Sequence, residues 1–332
     1  MRRIVVLLVI LSAAVFVGTA TSAGAKAGGA PLQVRVITAT ATTAGTWDPS
    51  QFAAYSAVSK QMGWKLQIGE AVPYGEADQM LDRWGAGKAD IVFSTDNGFE
   101  THMLAAAKKY PGTLWVTMSD LSTTNGLANV AAYSVNWCEV GFVEGVAGAL
   151  VSKTHMISAV ESIPILPTSK TLAGMKIGAE VAVPGTKVTG QIVGGFDGGP
   201  SAEVASNLIS KGADVLFAVA TGGASPAIAA RAQQLGKLYV GSYGDESRFA
   251  PKATVTSAVL KFGLGYVAVA KQRQSGTFKP GIIRKGVADG YISLTAFRLG
   301  KTAQEAQAAA ILKNLVAGKY AAQMAKCQAA TK

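Results

Sequence analysis

The chain has 332 residues, 49% of them hydrophobic, with 31 Lys and Arg against 20 Asp and Glu. That is enough apolar material for a packed core and, at this length, for two lobes rather than one. The formal charge of +11 is scattered, with no long basic run and no basic-aromatic motif, so the composition excludes an obvious nucleic-acid binder and describes a basic soluble surface.

Arg2 and Arg3 precede the apolar run IVVLLVILSAAVFVG, and small residues follow as far as Ala23-Gly24-Ala25. A charged start, a short apolar stretch and an A-x-A end are the layout of a secretory signal peptide, so residues 1–25 are read as one, cut after Ala25. The run is short for a bilayer span, which takes about 20 residues. No cysteine lies near the cut to carry a lipid. The mature protein is therefore expected in the periplasm, free of the membrane. From Gln33 the pattern alternates. QVRVITAT reads as a strand, FAAYSAVSKQMG as a helix ending at Gly63, KLQIGEAV as a strand and YGEADQMLDRWGAG as a helix. ADIVFST, the helix ETHMLAAAKKYP stopped by Pro111, and the strand TLWVTMS follow. The second half repeats the rhythm: HMISAVESI, a helix around TLAGMKIGAEVA, KVTGQIVGGF, SAEVASNLISKGA, DVLFAVAT, SPAIAARAQQLG, KLYVGSY and ATVTSAV. Alternation of this kind predicts an α/β fold of two Rossmann-like lobes with parallel sheets and crossover helices.

In such sheets ligands bind beyond the carboxyl ends of the strands, so those loops carry the candidates. The first has Trp47, Asp48 and Phe52, and the third has Asp96, Asn97 and Phe99. Phe196 and Asp197 follow KVTGQIVGG, the Gly-rich helix entrance TGGASP follows DVLFAVA, and Tyr243 and Asp245 follow LYVG. Aromatic faces stack on flat rings, and single carboxylates accept hydrogen bonds from hydroxyls or ring N–H groups. Taken singly, each of these residues has an ordinary loop use as a cap or a core filler. No nucleotide-binding P-loop, nucleophile elbow, H-E-x-x-H or C-x-x-C is present. The two histidines, His102 and His155, fall in a helix pattern and at a strand start, which supports neither Ser-His chemistry nor a metal site. No cofactor is expected. Cys138 and Cys327 can pair in an oxidising compartment, or remain two buried thiols.

Several stretches, in order along the mature chain, resemble the basic membrane protein (BMP) family. They are ADIVFSTDNGF with AAAKKYPGTLWV, NVAAYSVNWCEVGFVEGVAGAL, the IP of ESIPIL, IVGGFDGG, LISKGADVLFAV and VGSYGDESRFAPKATVTSAV. That family comprises periplasmic substrate-binding proteins of ABC transporters for purine nucleosides and related purines. The resemblance implies a type I, hinge-bending binding protein whose lobes are joined by three crossings: residues 33–136 with 245–285 in the first lobe, and 137–244 with 286–332 in the second. It implies a purine ring between aromatics, Trp47 or Phe52 from one lobe and Phe196 from the other. Asp245 would be the polar contact on the hinge loop and Asn97 one on the third-strand loop, with Asp48, Phe99 and Tyr243 beside them. The chain would cross between lobes at Gly241. It implies no enzyme activity, a small-molecule ligand, a partner permease in the inner membrane, and a monomer. The family's nucleoside branch commonly begins its first loop with paired Asp or Asn and has an Asp where this chain has Thr46-Trp47 and Tyr243, which leaves a free purine open. An exported α/β enzyme or a receptor-associated ligand sensor are the alternatives. A repressor of the same architecture would need a helix-turn-helix where the signal peptide stands.

Overall fold

A computed structural model describes residues 30–119 and 123–329; the signal-peptide reading falls outside them. The first lobe contains β1 (Gln33–Ile37), α1 (Trp47–Met62), β2 (Lys65–Gly69), α2 (Ala77–Ala86), β3 (Ile91–Ser94), α3 (Glu100–Lys109), β4 (Leu114–Met118) and β5 (Val130–Val135). The chain then enters the second lobe with α4 (Trp137–Val151), β6 (Met156–Glu161), α5 (Leu166–Ala182), β7 (Lys187–Ile192), α6 (Gly198–Ser210), β8 (Val215–Val219), α7 (Ala224–Gln234), β9 (Leu238–Tyr243) and β10 (Thr254–Leu260). It returns to the first lobe with α8 (Gly263–Gln274) and β11 (Gly281–Lys285), and ends in the second with β12 (Ile292–Leu294), α9 (Thr302–Val316) and α10 (Ala321–Ala329).

Each lobe is a six-stranded sheet, in the orders β2-β1-β3-β4-β5-β11 and β7-β6-β8-β9-β10-β12. The first sheet is parallel throughout. The second is parallel except for β12, which pairs antiparallel with β10. The central strands are buried along their whole length, as parallel strands covered by helices on both faces must be.

The lobe boundary differs from the expected one. β10 falls in the segment 245–285, yet it is hydrogen-bonded to β9 in the second sheet. β9 likewise runs past Gly241 to Tyr243, because β10 stays paired with it as far as Tyr243 and holds it in the sheet. The chain therefore crosses between lobes at 135–137, 260–263 and 285–292. The crossings are tied together: the Asn136 amide donates to the Lys285 carbonyl (3.0 Å), and the Lys261 amide to that of Tyr291 (2.8 Å).

α4 is apolar around nearly its whole circumference and buried accordingly. It meets α5 backbone to backbone through glycines spaced four apart, Gly141 and Gly145 on α4, Gly174 and Gly178 on α5. A Cβ on Gly178 would lie 2.1 Å from the Phe142 carbonyl oxygen, and one on Gly145 would lie 2.1 Å from that of Met175. Cys138 at the start of α4 is disulfide-bonded to Cys327 on α10, with Cα atoms 6.1 Å apart. The neighbouring Gln328 donates to the Asn136 side chain (2.7 Å), so the C-terminal helix is fastened beside the first crossing.

Candidate functional site

In both sheets the strand order reverses between the first and third strands of the lobe, β1 and β3 or β6 and β8. Crossover connections leave such a point on opposite faces and open a crevice at the carboxyl ends of the strands. The two crevices face one another across a cleft that is continuous with solvent and enclosed by side chains of both lobes. Trp47, Asp96 and Asn97 line it from the first lobe. Ser162, Ile163, Ile165, Pro167, Thr168, Phe196 and the segment 219–221 line it from the second, and Trp137 and Tyr243 stand at the hinge end.

Trp47 opens α1 and is fixed from several sides. Its indole N–H donates to the Thr95 carbonyl (2.8 Å). Its ring lies near-parallel to Trp137 at 5.8 Å and takes the edges of Tyr243 at 5.0 Å and Phe262 at 5.1 Å. Phe196, half-buried beyond β7, faces the cleft from the other lobe. Asp96 caps a short 3-10 turn, Asn97–Phe99. Its Oδ1 accepts from the Gly98 amide (2.8 Å) and the Tyr74 hydroxyl (2.7 Å), and among the described residues nothing donates to Oδ2. Burial raises its pKa above the ordinary carboxylate value. The Trp137 indole N–H and the Thr221 hydroxyl are buried with no partner, a costly state that a ligand's acceptors or a water would relieve.

Tyr243 is held at φ 70°, a left-handed conformation that a bulky residue rarely adopts. Such strain costs about 1–3 kcal/mol and persists only where the surroundings over-determine it, most often at functional sites. Here the ring is wedged between Trp47 and Trp137.

Four of the expected site residues thus share the cleft: Trp47, Asn97, Phe196 and Tyr243. Four do not line it. Asp48 is buried beneath the first loop and receives Thr40 N (3.1 Å), the Thr40 hydroxyl and the Thr95 hydroxyl (2.8 Å), so it braces the loop; burial pushes its pKa up to about 6. Phe52 lies on the outer face of α1, 40% exposed. Phe99 is core, edge-on to Tyr74 at 5.0 Å. Asp245 points outward, accepting from the Ser247 amide (3.0 Å) and Arg298 (3.3 Å). The acid that this loop keeps inside is its neighbour Glu246, which accepts from the Thr46 hydroxyl (2.5 Å), the Ser242 amide (3.2 Å) and the Tyr239 hydroxyl.

Glu246 thereby joins the lobes, since Thr46 belongs to the first and Glu246 to the second. Arg248 adds a bond to the Gly45 carbonyl (2.8 Å). Gly45 and Gly222, both at positive φ, meet so closely that a Cβ on Gly45 would lie 2.7 Å from the Gly222 oxygen. The lobes are closed on one another. His102 pairs with Asp78 (2.7 Å) on the surface, and His155 is exposed in the bend just before β6. No group of three or more His, Cys, Asp or Glu among the described residues could hold a metal.

Sequence reasoning missed Trp137 and the wall from 162 to 168, while Thr221 lies in the TGGASP entrance already singled out for its backbone. The reversal in strand order would have pointed to the loop after β6 as well; Trp137 sits on a crossing that only the fold reveals.

A family profile described as ABC transporter substrate-binding protein PnrA-like matches residues 44–319. The chain belongs to the Bmp family. Proteins of that description are solute binders rather than enzymes. This Bmp protein is 26% identical over 223 residues to a purine-binding protein of Brucella abortus, covering 67% of this chain and 62% of the relative. It is 26% identical over 172 residues to a putative ABC transporter glucose-binding protein of Haloferax volcanii, covering 51% of this chain and 43% of that one. The chain therefore spans less than two thirds of each of these relatives. Among solved structures, a solute-binding protein of an ABC transporter system from Conexibacter woesei superposes with a TM-score of 0.71 at 19% identity, covering 87% of this chain and 97% of that one, a likeness of fold. No helix among the described residues is long and apolar enough to cross a membrane.

Proposed function

We propose that the protein captures a purine between its lobes outside the cytoplasm and, closed upon it, presents it to an inner-membrane permease of an ABC importer. The observation that carries this reading is the pairing of Trp47 and Phe196, aromatics from opposite lobes on the wall of one cleft. A flat ring between them would gain stacking on both faces. Its edge would find an acceptor in Asp96 and donors in Trp137 and Thr221, matching the mixed donor and acceptor edge of a purine. The Brucella relative, a purine-binding protein by name, supports the same class. A sugar, which the name of the Haloferax relative suggests, asks for hydrogen-bonding groups all round its rim of hydroxyls. The cleft offers it Ile163, Ile165, Pro167, Val219 and Ala220 over much of one wall.

Ligand would stabilise the closed form by its differential affinity for that form. Calorimetric titration of adenine, hypoxanthine, guanine and their nucleosides into ligand-stripped protein tests the reading. Binding of at least one well below millimolar is expected, with Phe196→Ala weakening it by about 5- to 150-fold, as loss of one base–aromatic stack of ~1–3 kcal/mol would. Failure of wild type to bind any of them contradicts the purine reading. Unchanged affinity in a folded Phe196→Ala contradicts the placement of the ring.

A further inference from the structure

We infer that the cleft takes a bare planar heterocycle, the free purine base, and that Trp137 and Tyr243 exclude its ribosylated and phosphorylated forms. This rests on the purine reading above and narrows it. The hinge end of the cleft is filled with rings. Trp137 lies 5.8 Å from Trp47, Tyr243 is 5.0 Å from Trp47 and 6.2 Å from Trp137, and Phe262 backs Trp47 at 5.1 Å. Away from the hinge the approach of Gly45 to Gly222 closes the lobes. On this inference the hinge-end rings take the place that a pentose would need behind a base stacked on Trp47 and Phe196.

The chemistry of the wall agrees with its shape. A ribose presents vicinal hydroxyls and is ordinarily met by a carboxylate. Asp96 is the one acid among the described lining residues, and its Oδ1 already accepts from Tyr74 and Gly98. The remaining oxygen is left as an acceptor for a ring or amino N–H. Asp48 and Glu246 are committed elsewhere, Asp48 to Thr40 and Thr95, and Glu246 to Thr46, Ser242 and Tyr239. A phosphate would need a cation, and no Lys, Arg or His among the described residues lines the cleft. The hinge end offers instead a single unpartnered donor, the Trp137 N–H, which suits an unsubstituted ring nitrogen. The strained backbone of Tyr243 holds its ring in the space a pentose would need.

The test titrates adenine, adenosine and adenosine monophosphate into the ligand-stripped protein, wild type, Trp137→Ala and Tyr243→Asn. Asn tolerates the left-handed backbone and vacates the ring. Wild type should bind adenine about 5- to 150-fold more tightly than adenosine, the scale set by forcing extra atoms into packed space, and should not bind the monophosphate. Each variant should narrow the gap by gaining adenosine. Trp137 also packs in the core, so Tyr243→Asn and the wild-type comparison stand without it. Adenosine binding wild type as tightly as adenine overturns this inference and leaves the purine reading intact. Binding of none of the three overturns both. A gap unchanged in folded Tyr243→Asn overturns the role given to Tyr243.

Discussion

Replacing Gly178 by Ala tests the α4–α5 contact that carries one wall of the cleft. The new methyl group would lie 2.1 Å from the Phe142 carbonyl oxygen, where ordinary contact begins near 3.4 Å. The obstacle is backbone, so no side chain can turn aside; the helices must part by about 1 Å. A gap of that size forfeits a quarter to a half of the dispersion attraction between the facing atoms, and overpacking of this kind costs about 1–3 kcal/mol or somewhat more. Alanine returns up to about 1 kcal/mol through its better helix propensity. A net loss of about 1–3 kcal/mol is expected, read from the urea midpoint at constant slope. Because Pro167 and Thr168 at the start of α5 line the cleft, ligand affinity should fall as well. Gly199, in α6 with nothing within 4 Å of its would-be Cβ, is the matched control, and Gly199→Ala should be neutral or slightly stabilising. If Gly178→Ala is as stable as wild type, the helices are not in backbone contact and the reasoning fails.

Stability should fall as pH rises from 5 to 8, because burial raises Glu144 to about 8 and Glu246 to about 7. The native state then holds protons that the unfolded chain has released above the ordinary value of 4.5, so the slope is negative; about a few kcal/mol are at stake, Glu144→Gln should flatten the profile, and stability that rises over this window contradicts it. Cys138→Ser with Cys327→Ser should lower stability by about 2–5 kcal/mol, since the bond closes a loop of 189 residues, and an unchanged urea midpoint would count against the pairing. Gly45→Ala places a methyl 2.7 Å from the Gly222 oxygen at φ +68°, and should weaken ligand binding about tenfold by penalising closure; affinity equal to wild type would show that the two loops do not meet.

The alternation of Val- and Ile-rich strands with helices ending at Gly or Pro made most of the two sheets legible, because period and punctuation are local signals. Beyond Leu260 they fade. β11 is an edge strand with alternate residues exposed, and β12 has three residues, too few to show a period. α4 went unread for the opposite reason: a helix buried on every side has no amphipathic rhythm to detect. Among the residues that line the cleft, strand-end position alone had singled out Trp47, Asn97, Phe196 and Tyr243. It could not tell Asp245 from Glu246, because a one-residue difference in a loop decides which carboxylate faces inward. Nor could spacing show that Cys138 and Cys327 meet, since their proximity depends on how α10 docks.

The central claim is that a purine ring lies between Trp47 and Phe196 with its edge on Asp96. A crystal structure of the protein grown with adenine tests it most directly. The account expects one planar ligand stacked between those two side chains, Asp96 Oδ2 within hydrogen-bond distance of a ring or amino N–H, and Trp137 donating to a ring nitrogen. Adenine bound elsewhere, or a cleft that excludes it while Trp47 and Phe196 pack on each other, would contradict it.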